Sequence, residues 1–210
     1  MLKRIHIAAI PVLILVTMAT VLHWQGRLWV CAYPGVYLWA GDIWSEHNSQ
    51  HFADPYSFTH VLHGVIFCGI ISWLGSRIYP PQSPRMRGEG RLCAFAPLRE
   101  VQSIQWPLIL AVALEAIWEI IENSRFVIER YREATVSLGY EGDTILNSMA
   151  DVLFCALGFL LARRLGLRKS IVFFVAVELV LLVWIRDNLT LNIVMLIHPI
   201  EALKAWQVVH

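Results

Sequence analysis

The chain has 210 residues, of which 57% are hydrophobic and only 16% are charged. Soluble domains carry about 45–50% apolar and about 25% charged residues, so this composition excludes an ordinary water-soluble globule and a disordered chain. The formal net charge of +1 gives no reason to expect nucleic acid as a partner. Its four cysteines form no CxxC pair, which argues against a zinc knuckle or a disulfide framework.

Apolar segments of membrane-spanning length recur along the chain. A bilayer span needs about 20 mainly apolar helical residues, and five segments meet or approach this requirement. We therefore predict an all-α integral membrane bundle of about five transmembrane helices, forming a single domain over residues 1–210. The predicted spans are 5–23, 58–78, 105–123, 145–163 and 170–186. The first also fits a signal peptide, but no small-x-small cleavage pattern follows it, which favours an uncleaved anchor.

The distribution of lysine and arginine predicts the orientation of the bundle. Most of the 17 basic residues fall on the cytoplasmic side if the N-terminus is cytoplasmic and the C-terminus outside. Residues 79–104 then form a cytoplasmic loop, and residues 24–57 and 124–144 form outer loops. The tryptophans of the first outer loop favour a position at the level of the lipid headgroups. The apolar run 189–197 is too short to span and is predicted to be interfacial.

Ionisable side chains inside the predicted spans are the candidates for function. A central carboxylate costs about 2.5–3.5 kcal/mol on the insertion scale, so each needs protonation, pairing, hydration or a bound cation. Glu115, Glu119 and Glu122 recur at positions i, i+4 and i+7 of the third span, and therefore share one helix face. Three acids on one face favour a functional interpretation over a solvated helix end.

Two other spans carry polar pairs at helical spacing. His60 and His63 lie at i and i+3 on the second span, and Asn147 and Asp151 lie at i and i+4 on the fourth. With a rise of about 1.5 Å per residue, His63 lies roughly 7 Å, Glu115 roughly 12 Å and Asp151 roughly 10 Å below the outer boundary. We therefore expect three spans to present polar groups at one depth in the outer leaflet.

Metal binding is one role for such a cluster. Imidazole and carboxylate ligands suit zinc, manganese or iron, and a bound divalent ion offsets the burial of the acids and activates water. The predicted metal ligands are His60, His63, Glu119, Glu122 and Asp151. The predicted catalytic carboxylates are Glu115, Glu119 and Asp151, with Glu115 as the general base. The residues expected to support the ligands are Asn147, Asp143 and Asn123.

Simpler interpretations stay open for the same residues. The histidines are also explained by hydrogen bonding between helices or by a proton relay, and Asn147 and Asp151 by polar contacts between helices. Asp143 is expected to be the N-cap of the fourth helix, with a carboxylate facing the cluster as the alternative. A solvated face is expected for one group of basic residues, with a lipid phosphate site as the alternative: Arg125, Arg130 and Arg132.

Several sequence strings together resemble an uncharacterised family of bacterial, mainly alphaproteobacterial, inner-membrane proteins. They are NSQH (48–51), DPYSFTHVLHG (54–64), WEIIENS (118–124) and GDTILNS (142–148). The resemblance runs from about residue 40 to about residue 165 and implies a multi-pass protein of the bacterial inner membrane. It implies no activity and names no catalytic residue. Residues 147–151 are also similar to a stretch of lipoprotein signal peptidases, but the spacing is one residue longer and a second matching aspartate motif is missing, so the likeness concerns location alone.

Three functions are compatible with these patterns. The first is a metal-dependent hydrolase or modifying enzyme that acts on a lipid or lipid-linked substrate, with membrane lipids as partners. The second is a proton or metal-ion transport component, against which the apolar inner half of the spans argues. The third is a non-catalytic membrane subunit or assembly factor. Oligomeric state and partner subunits are left open by the sequence.

Overall fold

A computed structural model describes residues 2–35, 37–78, 105–135 and 139–208. The regular secondary structure of these residues is entirely α-helical, which confirms the predicted all-α class for this part of the chain. The helices are α1 (Leu2–Trp24), α2 (Ser57–Ile78), α3 (Gln105–Glu122), α4 (Arg125–Ala134), α5 (Ile145–Ile185), α6 (Leu189–Ile197) and α7 (Glu201–Val208). The predicted cytoplasmic loop 79–104 lies outside the described residues.

The long helix α5 reverses direction at Gly166, where φ is 73° and ψ is 170°. An unbroken helix of 41 residues would hold its ends about 60 Å apart. Instead, both ends lie at the start of α2. Before α5, the Thr144 N–H donates to the carbonyl of Ser49, and after it the Tyr56 hydroxyl donates to Asp187 at 3.1 Å. The two arms of α5 therefore correspond in range to the predicted fourth and fifth spans.

Helix α2 and the first arm of α5 approach each other at two glycines. A Cβ atom on Gly64 would overlap the carbonyl oxygen of Cys155, and one on Gly158 would overlap the carbonyl oxygen of Val61. Glycine alone permits this backbone-to-backbone contact. It fixes the distance between the helix that carries the predicted histidines and the helix that carries Asp151.

Helix α1 packs on α3 and on the first arm of α5. Its buried residues Met18 and Leu22 belong to one apolar cluster with Ala116 of α3 and with Ile145 and Val152 of α5. Burial of such side chains stabilises the folded chain by about 1.5–3 kcal/mol each. This cluster holds α3 against the first arm of α5, so the faces that carry the acids of both helices stay adjacent.

The N-terminus of α5 is capped by the segment between α1 and α2. The N–H groups of Ile145 and Leu146 donate to the carbonyls of Leu28 and Trp29 at 2.8 and 3.2 Å, which satisfies donors that a helix leaves free. The N-cap is Thr144, whose side chain accepts a hydrogen bond from the Asn147 N–H. The prediction that Asp143 is the N-cap is therefore wrong.

Polar and apolar side chains are distributed unlike those of a water-soluble bundle. One end of the interior contains buried acids and histidines, whereas many large apolar side chains on the outer surface are exposed, reaching 84% for Val183. Among the described residues, one helix, Ser57–Arg77, is by itself long and apolar enough to cross a membrane, and Ala9–Trp24 is a shorter apolar helix. The bundle of about five spans is therefore a proposal rather than a finding.

Candidate functional site

Glu115 of α3 is fully buried and contacts both predicted histidines of α2. Its Oε1 atom lies 2.6 Å from Nδ1 of His60 and 2.9 Å from Nδ1 of His63, and its Oε2 lies 3.1 Å from Nδ1 of His63. When each Nδ1 carries the proton, each Nε2 keeps a free lone pair. A carboxylate that holds an imidazole in this way is the usual support of a metal-binding histidine.

His60 is surrounded by further acids. Its Nδ1 lies 3.3 Å from Oε1 of Glu119, and its Nε2 lies 3.9 Å from Oδ2 of Asp151. Glu119 is 0% exposed, and neither of its oxygens accepts a hydrogen bond from the described residues. The second oxygen of Asp151 likewise accepts none. A buried carboxylate whose oxygen accepts no hydrogen bond is strongly unfavourable unless a proton or a cation offsets its charge.

Glu122 lies one turn beyond Glu119 and completes a three-residue group. Single ligand atoms of His60, Glu119 and Glu122 all fall within 4.8 Å of one another, as do those of His60, His63 and Glu115. The hydroxyl of Tyr131 donates to Oε1 of Glu122 at 2.9 Å. The structure therefore brings the predicted metal ligands of α2 and α3 together, with Asp151 facing them from α5.

The predicted supporting residues Asn123 and Asp143 bind each other. Asn123 donates from Nδ2 to Oδ2 of Asp143 at 2.8 Å and accepts from the Asp143 N–H at 2.7 Å. The Tyr140 hydroxyl donates to the other oxygen of Asp143 at 2.9 Å. Burial raises the pKa of Asp143, and the hydrogen bonds from Asn123 and Tyr140 oppose that rise. Asn147 lies beside the cluster, and its Nδ2 finds no acceptor among the described residues.

Asp54 is a buried acid that the sequence analysis did not single out. It accepts hydrogen bonds from the N–H groups of Ser49, Tyr56 and Ser57, and so holds the chain that enters α2. Burial raises its pKa to about 6, helped by the negative charge of Asp143. The sequence does contain a pattern that points to Asp54, because an Asp followed by Pro is typical of a helix start. No comparable sequence pattern points to Tyr131 or Tyr140.

A cavity of about 590 Å³ opens beside these groups, between α2, α3 and α6. Its polar end is lined by Asp54, His60, His63, Glu122, Asp143 and Asp151. Its wall is lined mainly by aliphatic and aromatic side chains, among them Ile66, Phe67, Leu114, Ile117, Trp118, Ile193 and Leu196. This combination of a few polar groups and an apolar wall is typical of a small-molecule site.

The three arginines of α4 do not converge on one site. Arg125 pairs with Glu129 at 2.7 Å on the exposed face, Arg130 donates to the carbonyl of Leu196, and Arg132 donates to the carbonyl of Tyr140. Binding of a lipid phosphate by these residues stays a prediction.

A second cluster lies in the segment between α1 and α2, and its residues Cys31, His47 and His51 do not line the cavity. Nδ1 of His47 lies 2.9 Å from Nε2 of His51 and 3.7 Å from Sγ of Cys31. Burial lowers the pKa of His51, and His47 adds to this effect. The Tyr37 N–H donates to Nδ1 of His51, which leaves the proton of the neutral ring on Nε2. In this tautomer Nε2 of His51 donates to Nδ1 of His47, and the two imidazoles form a hydrogen-bonded pair.

The sequence model of a family described as "protein of unknown function (DUF2585)" matches residues 22–209. The chain belongs to the DUF2585 family. It is 41% identical over 191 residues to a UPF0314 protein of Sphingopyxis alaskensis, covering 90% of this chain and 88% of that protein. A UPF0314 protein of Rhizobium meliloti is 41% identical over 196 residues, covering 92% and 86%. One of Brucella anthropi is 38% identical over 200 residues, covering 95% and 89%.

These matches confirm the expected resemblance to an alphaproteobacterial family without an assigned activity. None of these names states a ligand, a substrate or a location. No solved structure gave a significant match to the DUF2585 chain. Its chemistry therefore has to be argued from the site.

Proposed function

We propose that this DUF2585 protein is a metal-dependent hydrolase of the bacterial inner membrane that acts on an amphiphilic, lipid-derived substrate. The observation that carries the proposal is the state of Glu119, which is fully buried, lies 3.3 Å from His60 and accepts no hydrogen bond from the described residues. A divalent cation held by His60, Glu119 and Glu122 would offset the charge of both acids. Zinc, manganese and iron all suit this set of ligands.

The placement in a membrane rests on the surface of the helices. Large apolar side chains are exposed along the outer faces of α1, α2 and both arms of α5: Val12, Leu13, Val16, Ile70, Trp73, Leu74, Leu153, Leu157, Val172, Leu179, Val180 and Val183. Water-soluble monomers rarely expose so much contiguous apolar area. A single membrane domain with five spans, a cytoplasmic N-terminus and an outer C-terminus accommodates these faces in lipid.

The contacts of Glu115 and Asp151 indicate different roles for these two acids. Glu115, first predicted as the general base, is fully buried, does not line the cavity and is shared by two imidazoles. It is assigned here to positioning the rings. Asp151 lines the cavity. Its Oδ1 accepts no hydrogen bond in the described structure, and its Oδ2 lies 3.9 Å from Nε2 of His60. Asp151 is therefore placed to accept a proton from water in the cavity, and a divalent ion at His60, Glu119 and Glu122 would acidify that water.

An apolar layer below the site favours an enzyme over a transport component. On the side of His63 and Glu115 that faces away from α4, the buried residues Val65, Cys68 and Ala111 pack with Phe159. An ion or proton path needs polar groups or water along its length. The side chains of Val65, Cys68, Ala111 and Phe159 offer no charged or hydroxyl group to such a path, which favours chemistry at one membrane face over transport.

Metal analysis of the purified protein tests the proposal. We expect a stoichiometric divalent ion in the wild type and its loss in Glu119→Gln, which keeps the shape of the side chain and removes its charge. Glu129→Gln, on the exposed face of α4, is the matched control and should retain the ion. A wild type that takes up neither zinc, manganese nor iron after reconstitution would overturn the proposed metal centre.

A further inference from the structure

Several acidic side chains line the polar end of the cavity, and no lysine or arginine does so among the described residues. The carboxyl groups are those of Asp54, Glu122, Asp143 and Asp151. The nearby arginines donate to backbone carbonyls instead: Arg27 to that of Glu141, Arg130 to that of Leu196 and Arg132 to that of Tyr140. An anionic head group needs cationic donors, and here it would meet like charges.

Neither the histidines nor a metal ion reverses this balance of charge. Both imidazoles share the carboxylate of Glu115, whose charge offsets a proton on either ring. A divalent ion held by Glu119 and Glu122 would still leave Asp54, Asp143 and Asp151 at the cavity. Both oxygens of Asp54 and of Asp143 accept hydrogen bonds from N–H or O–H donors, as ionised carboxylates do. The electrostatic potential at this end therefore favours a positively charged group.

Two aromatic rings line the same end of the cavity. The rings of Tyr131 and Tyr140 meet edge to face, with centroids 5.3 Å apart and an angle of 72° between their planes. Their hydroxyls are each anchored on a carboxylate, Tyr131 on Glu122 and Tyr140 on Asp143, both at 2.9 Å. Aromatic rings combined with carboxylates are a common way of binding organic ammonium groups.

Two buried polar side chains at the cavity have groups left without a partner. Asn147 is 1% exposed and Asp151 is 4% exposed, and both line the cavity. Nδ2 of Asn147 has no acceptor and Oδ1 of Asp151 has no donor among the described residues. Buried polar atoms are normally hydrogen-bonded. The Nδ2 group of Asn147 can therefore donate to a ligand that carries a hydrogen-bond acceptor, such as the carbonyl of an ester or an amide.

The remaining wall is apolar and extends away from the acids. Ile66 and Phe67 of α2, Leu114 and Ile117 of α3, and Ile193 of α6 line it. A volume of about 590 Å³ falls within the range of about 300–1,000 Å³ that is usual for small-molecule sites. An aliphatic chain can lie along this wall while its head group meets the acids.

We infer that the cavity takes an amphiphile with an organic cationic head, an amine or a quaternary ammonium, joined through an ester or amide carbonyl to an aliphatic chain. The inference rests on the proposed function, because it identifies the cavity with the substrate site. It names the substrate class as cationic and disfavours phosphate-bearing lipids. The acids and the tyrosine pair bind the cation, Asn147 donates to the carbonyl, and the apolar wall holds the chain.

Binding of short amphiphiles that differ only in their head group tests the inference. Octyltrimethylammonium and octyl phosphate are titrated calorimetrically into protein in dodecyl maltoside micelles, with protein-free micelles subtracted. We expect saturable binding of the ammonium compound at least about tenfold tighter than that of the phosphate. Asp143→Asn should weaken ammonium binding about tenfold. Asp143→Glu restores the charge and should restore binding, and Glu129→Gln should leave it unchanged.

The metal content of the same samples separates this inference from the proposed function. Equal affinities, tighter phosphate binding, or a folded Asp143→Asn variant with unchanged ammonium affinity would each overturn the inference. If a stoichiometric metal ion is then present, the proposed metal centre still stands. Selective ammonium binding by a protein that takes up no metal would support the cationic ligand and overturn the metal-dependent hydrolase.

Discussion

Nδ1 of His60 lies 2.6 Å from Oε1 of Glu115, and this contact determines which ring nitrogen faces the cavity. In the neutral ring the carboxylate accepts the Nδ1 proton, so Nε2 carries the lone pair and points towards Asp151. His63 is held by the same oxygen. One fully buried acid therefore sets the protonation of two imidazoles that line the cavity.

Glu115→Gln should weaken metal binding by about 10- to 100-fold, the usual effect of removing a partner behind a ligand. The amide oxygen carries no charge and is a weaker acceptor than the carboxylate oxygen that both rings share, so it holds the two rings less firmly in this tautomer. Metal affinity, measured by competition with a chromophoric chelator, checks the prediction. Glu129→Gln serves as the control, and an unchanged affinity in Glu115→Gln would show that Glu115 does not position the rings.

Gly64→Ala should destabilise the bundle, because the added Cβ would overlap the Cys155 carbonyl oxygen where α2 meets α5. Forcing an extra methyl into a packed interior costs about 1–3 kcal/mol. Thermal unfolding in detergent measures the loss. Gly69→Ala on the same helix is the matched control, since a Cβ there has no neighbour within 4 Å among the described residues. Equal melting temperatures for the two variants would contradict the close contact.

Stability should fall as the pH rises from about 4 to about 6. Burial raises the pKa of Asp187 to about 6, despite opposing hydrogen bonds from the Asn188 N–H and the Tyr56 hydroxyl. The unfolded chain loses this proton near pH 3.9, so in this window the folded chain binds more protons. The free energy of unfolding then decreases with pH, by about 3 kcal/mol for this group. Asp54, whose pKa is also raised to about 6, acts in the same direction.

Chemical denaturation in detergent at several pH values between 4 and 7 checks this prediction. Asp187→Asn should flatten the slope without abolishing it, because Asp54 still titrates. Glu201→Gln, at the exposed start of α7, should keep the slope of the wild type. A wild type whose stability increases over this window would contradict the assigned direction.

Helical periodicity was enough to predict much of the candidate site. The spacing of His60 with His63, and of Glu115 with Glu119 and Glu122, is a local property of one helix, so it places side chains on one face without knowledge of the fold. Local composition likewise predicted the all-α class. The break at Gly166 was anticipated only as a boundary between two apolar segments, and the structure shows the positive φ that turns the chain.

The sequence by itself determined which faces are polar and which segments are apolar helices, because both follow from residue spacing along one chain segment. Only the structure decided which atoms meet: that Glu115 binds two histidines, that Thr144 rather than Asp143 caps α5, and that Tyr131 and Tyr140 reach the acids. The contacts of Glu115 join residues 55 and 52 positions apart in the chain. Their geometry depends on how closely helices approach, as at Gly64, which helical spacing does not encode.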